Sequence, residues 1–282
     1  MSLVPFTLSA DDYGLAPGIG LAIRDLILRE RLPATGCMVG GPFWPEEAAR
    51  LRPLAGRCDV GLHLTLTDQA PCGPLPRLAP DGRLPPLGEL LRQALLRRLD
   101  VAEVRTEIGR QVDRFEEFFG APPAFVDGHH HVHVLPGIRE VLADVYERRL
   151  RRTGTRVRRC TQPLADILRV GVAVRRSLVI AALGDAWTRR SLAAGMPGNR
   201  HFRGVRDFLP SESYPDLCAA WLKGLRPGTL VMCHPGLVDE ALRAVETLTD
   251  RREEEYAFLK SEAFQDLLAR SGTRPVRLSE LE

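Results

Sequence analysis

Short apolar runs alternate with longer helix-period segments along the whole chain, and this alternation most narrows the folds open to it. Val4–Ser9, Ala34–Gly40, Asp59–Thr67, Ala124–His131, Arg156–Cys160, Thr229–His234 and Pro275–Leu278 read as strands. Between them lie helical patterns: Pro17–Arg31 with Ile19, Ile23 and Leu26 on one side, and Trp44–Leu54 opened by Pro45 with Glu46 and Glu47 in its first turn. Leu87–Phe119 carries two such patterns divided near Asp100, and others run from Gly137 to about Arg152, Leu164–Ala194, Ser213–Gly224 and Arg251–Arg270. Pro197–Phe208 reads as irregular. Strands separated by helices are joined by crossovers, which build a mainly parallel α/β sheet. A length of 282 residues suits one large α/β domain, and no linker or repeat divides 1–282. The Pro-rich stretch 68–86, with six prolines, is long for a connection without structure of its own, which marks it as functional, and it is the expected substrate loop.

Seven histidines are present, and four of them fall in Asp127-Gly128-His129-His130-His131-Val132-His133. Imidazole is the commonest side-chain metal ligand and titrates near neutral pH. On an extended strand Asp127, His129, His131 and His133 share one face. His130 then points to the other face and reads as structural. In parallel α/β folds the functional groups gather at the carboxyl ends of the strands. Asp11-Asp12 follows the first strand, His63 lies late in the third, the histidine run follows the fourth, and His234 ends a later one. An aspartate with two or three histidines fits a catalytic divalent ion with open positions, and zinc, manganese, iron or cobalt suits imidazole better than magnesium does. Neighbouring carboxylates on an extended strand diverge, so one of Asp11 and Asp12 ligates and the other serves as base. His234, before a Pro-Gly turn, suits a general acid. The plainer readings are an Asx-type turn for Asp11-Asp12 and core histidines for His63 and His234.

Composition excludes several classes. The net charge of +3 is too small to imply a nucleic-acid partner. The basic run Arg148-Arg149-Leu150-Arg151-Arg152 continuing to Arg158-Arg159 reads as the solvated end of a helix. No apolar run reaches the length of a membrane span, and the start lacks the basic end and apolar core of a signal peptide. Six scattered cysteines without a C-x-x-C pair suit a reducing compartment, so a cytoplasmic location is expected.

The stretches L-S-A-D-D-Y-G-L, G-L-H-L-T-L-T, D-G-H-H-H-V-H and M-C-H-P-G together resemble the YdjC/ChbG family of carbohydrate deacetylases, from Leu8 to the R-R-E-E-E segment at Arg251–Glu255. A hopanoid-associated branch, HpnK, belongs to the same family. The resemblance implies a distorted TIM-like (β/α) barrel and metal-dependent removal of acetyl from an N-acetylated sugar, on a chitooligosaccharide or a glycolipid. It places the metal ligands on Asp12, His63 and His129, the catalytic base on Asp11 and the acid on His234. It implies magnesium as the single ion, where the ligand chemistry favours zinc or another transition metal. His133 either completes the metal shell or meets the substrate, and Asn199 and Phe202 are implied at the substrate. There Asn199-Arg200-His201-Phe202-Arg203-Gly204 departs from an N-D-x-F-x-G-like pattern through Arg200. The rival readings are a metal-dependent phosphoesterase on a β/α barrel and a non-catalytic sugar-binding barrel. The first usually carries H-x-H on its first strand, whereas here H-x-H is His131 and His133. A homodimer stays open.

Overall fold

The computed structural model describes residues 3–209, 211–246 and 249–281. Among the described residues there are eight strands: β1 (Val4–Tyr13), β2 (Ala34–Cys37), β3 (Asp59–Leu64), β4 (Phe125–Gly128), β5 (Arg156–Val157), β6 (His201–Arg203), β7 (Thr229–Cys233) and β8 (Thr273–Pro275). The helices are α1 (Pro17–Leu28), α2 (Trp44–Leu51), α3 (Leu87–Leu95), α4 (Val101–Phe119), α5 (Ile138–Val145), α6 (Leu164–Val170), α7 (Val174–Ala193), α8 (Tyr214–Leu222), α9 (Glu240–Val245), α10 (Asp250–Leu259) and α11 (Glu262–Ser271). Local chemistry sets their ends. The Asp100 carboxylate accepts from Glu103 N at 3.0 Å to start α4, and Gly120 ends it in the left-handed region (φ 82).

The sheet runs β5-β4-β3-β2-β1-β7-β6 with every neighbouring pair parallel, and β8 pairs with Val4–Phe6 of β1. It curls into a half-barrel with helices outside, as the alternation of elements requires. β1 is an interior strand, paired with β2, β7 and β8, and is buried from Phe6 through Tyr13, which is why the strand reads as a continuous rather than an alternating run.

The two ends of the strand path meet at one bridge, Val157 to Gly198. A Cβ at Gly198 would stand 2.1 Å from the Val157 carbonyl oxygen, so only glycine lets the backbones approach. Asn199 holds this seam. Its Oδ1 accepts from Arg159 N at 2.8 Å, while Nδ2 donates to Arg159 O at 2.8 Å and to His201 O at 2.9 Å. Asn199→Ala is expected to lower stability by about 2–4 kcal/mol, since three buried backbone groups lose their partners. Urea unfolding measures this, and a loss below about 0.5 kcal/mol would show the seam is held otherwise.

Several element expectations change, these among them. β4 stops at Gly128 rather than His131, the third strand ends at Leu64, and the region read as irregular contains β6. The single helix expected over Arg251–Arg270 is two, broken where Ser261 caps α11 through its contact with Phe264 N. Stretch 68–86 is not free: Cys72 N donates to Glu107 and Leu78 N to Glu103 of α4, and Leu75, Leu78 and Leu84 are buried.

Candidate active site

Asp11 and Asp12 lie near the carboxyl end of β1, where its pairing with β2 is interrupted between Ala10 and Tyr13. Asp12 adopts φ 68, a left-handed conformation that a non-glycine residue holds only when its surroundings enforce it. This kink sends the two side chains apart, the divergence expected from an extended strand but produced by an irregular one.

Asp12 faces two imidazoles. Its Oδ1 lies 3.0 Å from His129 Nδ1 and 3.4 Å from His63 Nε2, while Oδ2 accepts from Arg252 Nη2 at 2.7 Å. Ligand atoms of Asp12, His63 and His129 all lie within 4.8 Å of one another. The outer partners suit a metal as well. His63 Nδ1 is 2.7 Å from Asp127 Oδ1, which leaves Nε2 turned to the shared point. Burial disfavours charge on His63, but Asp127 and then Asp11 outweigh it and push its pKa up to about 10. A field that holds a proton there also favours a cation. One carboxylate and two imidazoles therefore fit a divalent ion, and transition metals better than magnesium.

Asp11 is engaged on its other side. Arg158 Nη1 donates to Oδ2 at 2.7 Å and Nη2 to Oδ1 at 2.6 Å, a fork that fixes the carboxylate plane. Arg158 Nη2 also donates to Ser9 Oγ at 3.1 Å and lies 2.5 Å from Asp127 Oδ2, an ion contact rather than an aligned hydrogen bond. Burial would raise the Asp11 pKa, yet Arg158 together with His63 and His234 holds the group well below the usual carboxylate range. His234 Nε2 stands 4.0 Å from Asp11 Oδ2. Its backbone N donates to Glu255 Oε2 at 2.5 Å, so α10 anchors the turn that carries the imidazole.

The histidine run does not share one face. His130 (φ 53) and His131 (φ 58) are both left-handed, and the chain turns sharply after Gly128. His130 is exposed, not structural, and its Nδ1 pairs with Thr67 Oγ1 at 3.0 Å. His133 is fully buried, edge-on to Trp187 and 3.6 Å from Cys160 Sγ. It reaches neither the metal trio nor the cavity. Asn199 serves the seam, and Phe202 is buried with His131 against its ring. These three expected substrate residues lie behind the site rather than on it. They fall there because Phe202 is buried on β6 and the left-handed turn at His130 and His131 carries His133 into the packing around Trp187.

The fully buried His133 and the half-buried His131 set an acid limit. Burial, and then the Arg158 charge, push His133 down to about 3, and burial with the His133 charge holds His131 well below its ordinary value. Unfolded imidazoles titrate near 6.5, so between about pH 6.5 and 3 the unfolded chain binds more protons. Their contribution to stability is complete above 6.5 and is lost as pH falls toward the folded values. The melting temperature of the metal-free chain should fall from pH 7 to 4.5, and His133→Phe should flatten that slope. A flat wild-type profile would contradict the assignment.

Asp11, Asp12, His63, His129 and His234 form the floor of one cavity of about 650 Å³. Its walls are largely aliphatic: Leu87 and Leu91 of α3 face Val179, Ile180 and Leu183 of α7, with Phe208 beside His234. None of residues 68–86 lines it, so α3 and α7 occupy the place expected of the Pro-rich loop. Four buried residues escaped the sequence reading. Arg158 and Arg159 were expected in solvent and are buried, and Arg252 and Glu255 come from α10. Arg158 follows β5 directly, so the strand-end rule that marks the other groups also marks it.

Comparison with known proteins agrees with this architecture. The family model described as YdjC-like protein matches residues 5–270, and the chain belongs to that family. A chitooligosaccharide deacetylase of Proteus mirabilis (strain HI4320) is 36% identical over 137 residues, 48% of this chain and 53% of that protein. One from Klebsiella pneumoniae (strain 342) is 28% identical over 237 residues, covering 83% and 82%. The chain thus spans about half the length of the first of these relatives and most of the second. A crystal structure from Enterococcus faecalis V583, described as a candidate cellobiose-phosphate cleavage protein, superposes with TM-score 0.73 at 18% identity over 98% of both chains. The Bc1960 peptidoglycan N-acetylglucosamine deacetylase superposes with TM-score 0.51 at 13% identity, over 98% of this chain and 87% of that one. At these identities the two structures speak to the fold alone.

Proposed function

We propose that the chain is a metal-dependent hydrolase that removes acetyl from an N-acetylated amino sugar. One observation carries the reading: a two-histidine, one-carboxylate trio and a separate Asp11–His234 pair share one cavity floor. Plain sugar binding would not need a carboxylate base set against an imidazole acid. The names of the deacetylase relatives support the same chemistry.

Asp12, His63 and His129 would hold one divalent ion, zinc or another transition metal by their chemistry and magnesium by family likeness. Such an ion supplies Lewis acidity at the acetyl carbonyl and lowers the pKa of water. Asp11, kept ionised and oriented by Arg158, takes the proton of the attacking water. His234, its Nε2 4.0 Å from Asp11 Oδ2, protonates the nitrogen as the C–N bond breaks, and acetate and a free amine leave. The aliphatic walls suit a sugar joined to an apolar body as well as a free oligosaccharide. No described helix is long and apolar enough to cross a membrane, and all six cysteines are free, which supports a cytoplasmic setting.

The test is acetate release from N-acetylated oligosaccharides and glycolipids, with zinc, manganese or magnesium supplied in turn. Acetate and free amine should appear one to one and stop on chelation. Phosphate release from phosphomonoesters without acetate release would sink the reading.

A further inference from the structure

Several exposed aliphatic side chains lie on the helices that wall the cavity and on the helix packed against them. α3 extends its cavity-facing row Leu87 and Leu91 to Leu95, which is 57% exposed. Across the mouth α7 exposes Leu178 and Val179, and α6, packed on α7, exposes Leu164 and Leu168. Aliphatic side chains left exposed beside an apolar cavity mark an interaction site.

Its charge says what kind. Segment 87–98 holds three arginines and one glutamate, and segment 162–183 holds three arginines and one aspartate. Together they carry four net positive charges against +3 for the whole chain, so everything else is net negative by one. Arg97, Arg98 and Arg175 have no acidic partner among the described residues, and Arg175 lines the cavity itself. Aliphatic residues fringed by unpaired arginines match an anionic lipid surface, where the aliphatics enter the acyl boundary and the arginines meet the headgroups. A second copy of the chain fits less well, because a twofold interface would press this positive face against itself.

We infer that the rim formed by α3, α6 and α7 docks the protein on an anionic bilayer, with the catalytic cavity opening toward the lipid. The inference stands on the surface alone and does not depend on the deacetylase reading. It places the chain as a peripheral protein.

Vesicle co-sedimentation of the full chain tests it, using phosphatidylglycerol–phosphatidylcholine vesicles against pure phosphatidylcholine. The protein should pellet with the anionic vesicles, and salt should weaken the binding. Leu95→Glu with Leu168→Glu, both at exposed positions outside the cavity, should cut the bound fraction about tenfold or more. Arg175→Glu with Arg176→Glu should lower it by a similar factor on anionic vesicles. Wild-type protein left in the supernatant, or equal binding to both vesicle types, would overturn the inference. So would a leucine variant that binds like wild type while melting at the same temperature. Size-exclusion light scattering gives the remaining outcome: a dimer that Leu95→Glu/Leu168→Glu splits, without vesicle binding, assigns the face to self-association instead. Activity on a water-soluble N-acetyl sugar should be unchanged in the leucine variant, which separates loss of docking from loss of chemistry.

Discussion

Replacing Arg158 with methionine is expected to lower unfolding stability by about 3–5 kcal/mol, among the largest single effects this chain should show. The guanidinium is fully buried and holds both Asp11 and Asp127, with Ser9 as a third partner. Methionine fills much of the same volume, so the loss would come from charge rather than packing. Without Arg158, two buried carboxylates face each other across the space it filled, and one must take up a proton or move toward water. Arg158→Lys should rescue little, because a single ammonium cannot span both carboxylates with the geometry of a fork. Removing one of the stranded charges is the sharper check. Arg158→Met with Asp127→Asn should be more stable than Arg158→Met alone, the reverse of additive damage. Urea unfolding of the four chains reads the coupling. A single variant within about 0.5 kcal/mol of wild type would mean that the pair is more solvated than its burial implies.

That arginine also shows where sequence reasoning stops. The strand-end rule located Asp11, Asp12, His63, His129 and His234, because each sits beside an apolar run whose end is visible in one dimension. Arg158 obeys the same rule, yet it is embedded in a basic run, and a run of arginines reads as solvated surface. Only two aspartates from distant strands make its burial tolerable, and no local pattern encodes that pairing. The alternation that builds the parallel sheet was equally legible, since it needs only hydrophobic period. β6 was not, because three residues carry no period and its place is set by the seam at Gly198 and Asn199. The histidine run was misjudged beyond Gly128 for a similar reason. Extending a two-residue period assumes the strand continues, and His130 and His131 instead turn left-handed, which bulky L-residues rarely do. Arg252 and Glu255 lie in the R-R-E-E-E stretch, but helical spacing alone does not say which members face Asp12 and the His234 turn.

The two aspartates of β1 should separate cleanly in the test tube. Asp11→Asn is expected to lower kcat/KM for acetate release by about 10²–10⁴-fold, the range a positioned general base supplies. Its metal content should be unchanged, because the trio that would hold the ion is Asp12, His63 and His129. His129→Ala should fail on the other count, losing bound metal in elemental analysis and activity with it. The contrast matters because Asp11 is an unusual base. A carboxylate held so far below its ordinary pKa by Arg158 is a weak proton acceptor in the ground state. The arrangement works only if the attacking water has become much more acidic than bulk water, which is the service a divalent ion renders. The second lone pairs left on Oδ1 and Oδ2 by the Arg158 fork are then what receives the proton. An amide at position 11 offers one oxygen and an N–H that points donors at Arg158, so both orientation and acceptance suffer. Asp11→Asn activity within about threefold of wild type would move the base elsewhere. Metal loss as deep as that of His129→Ala would instead bring Asp11 into the ligand set and leave Arg158 as a counter-ion to the metal site.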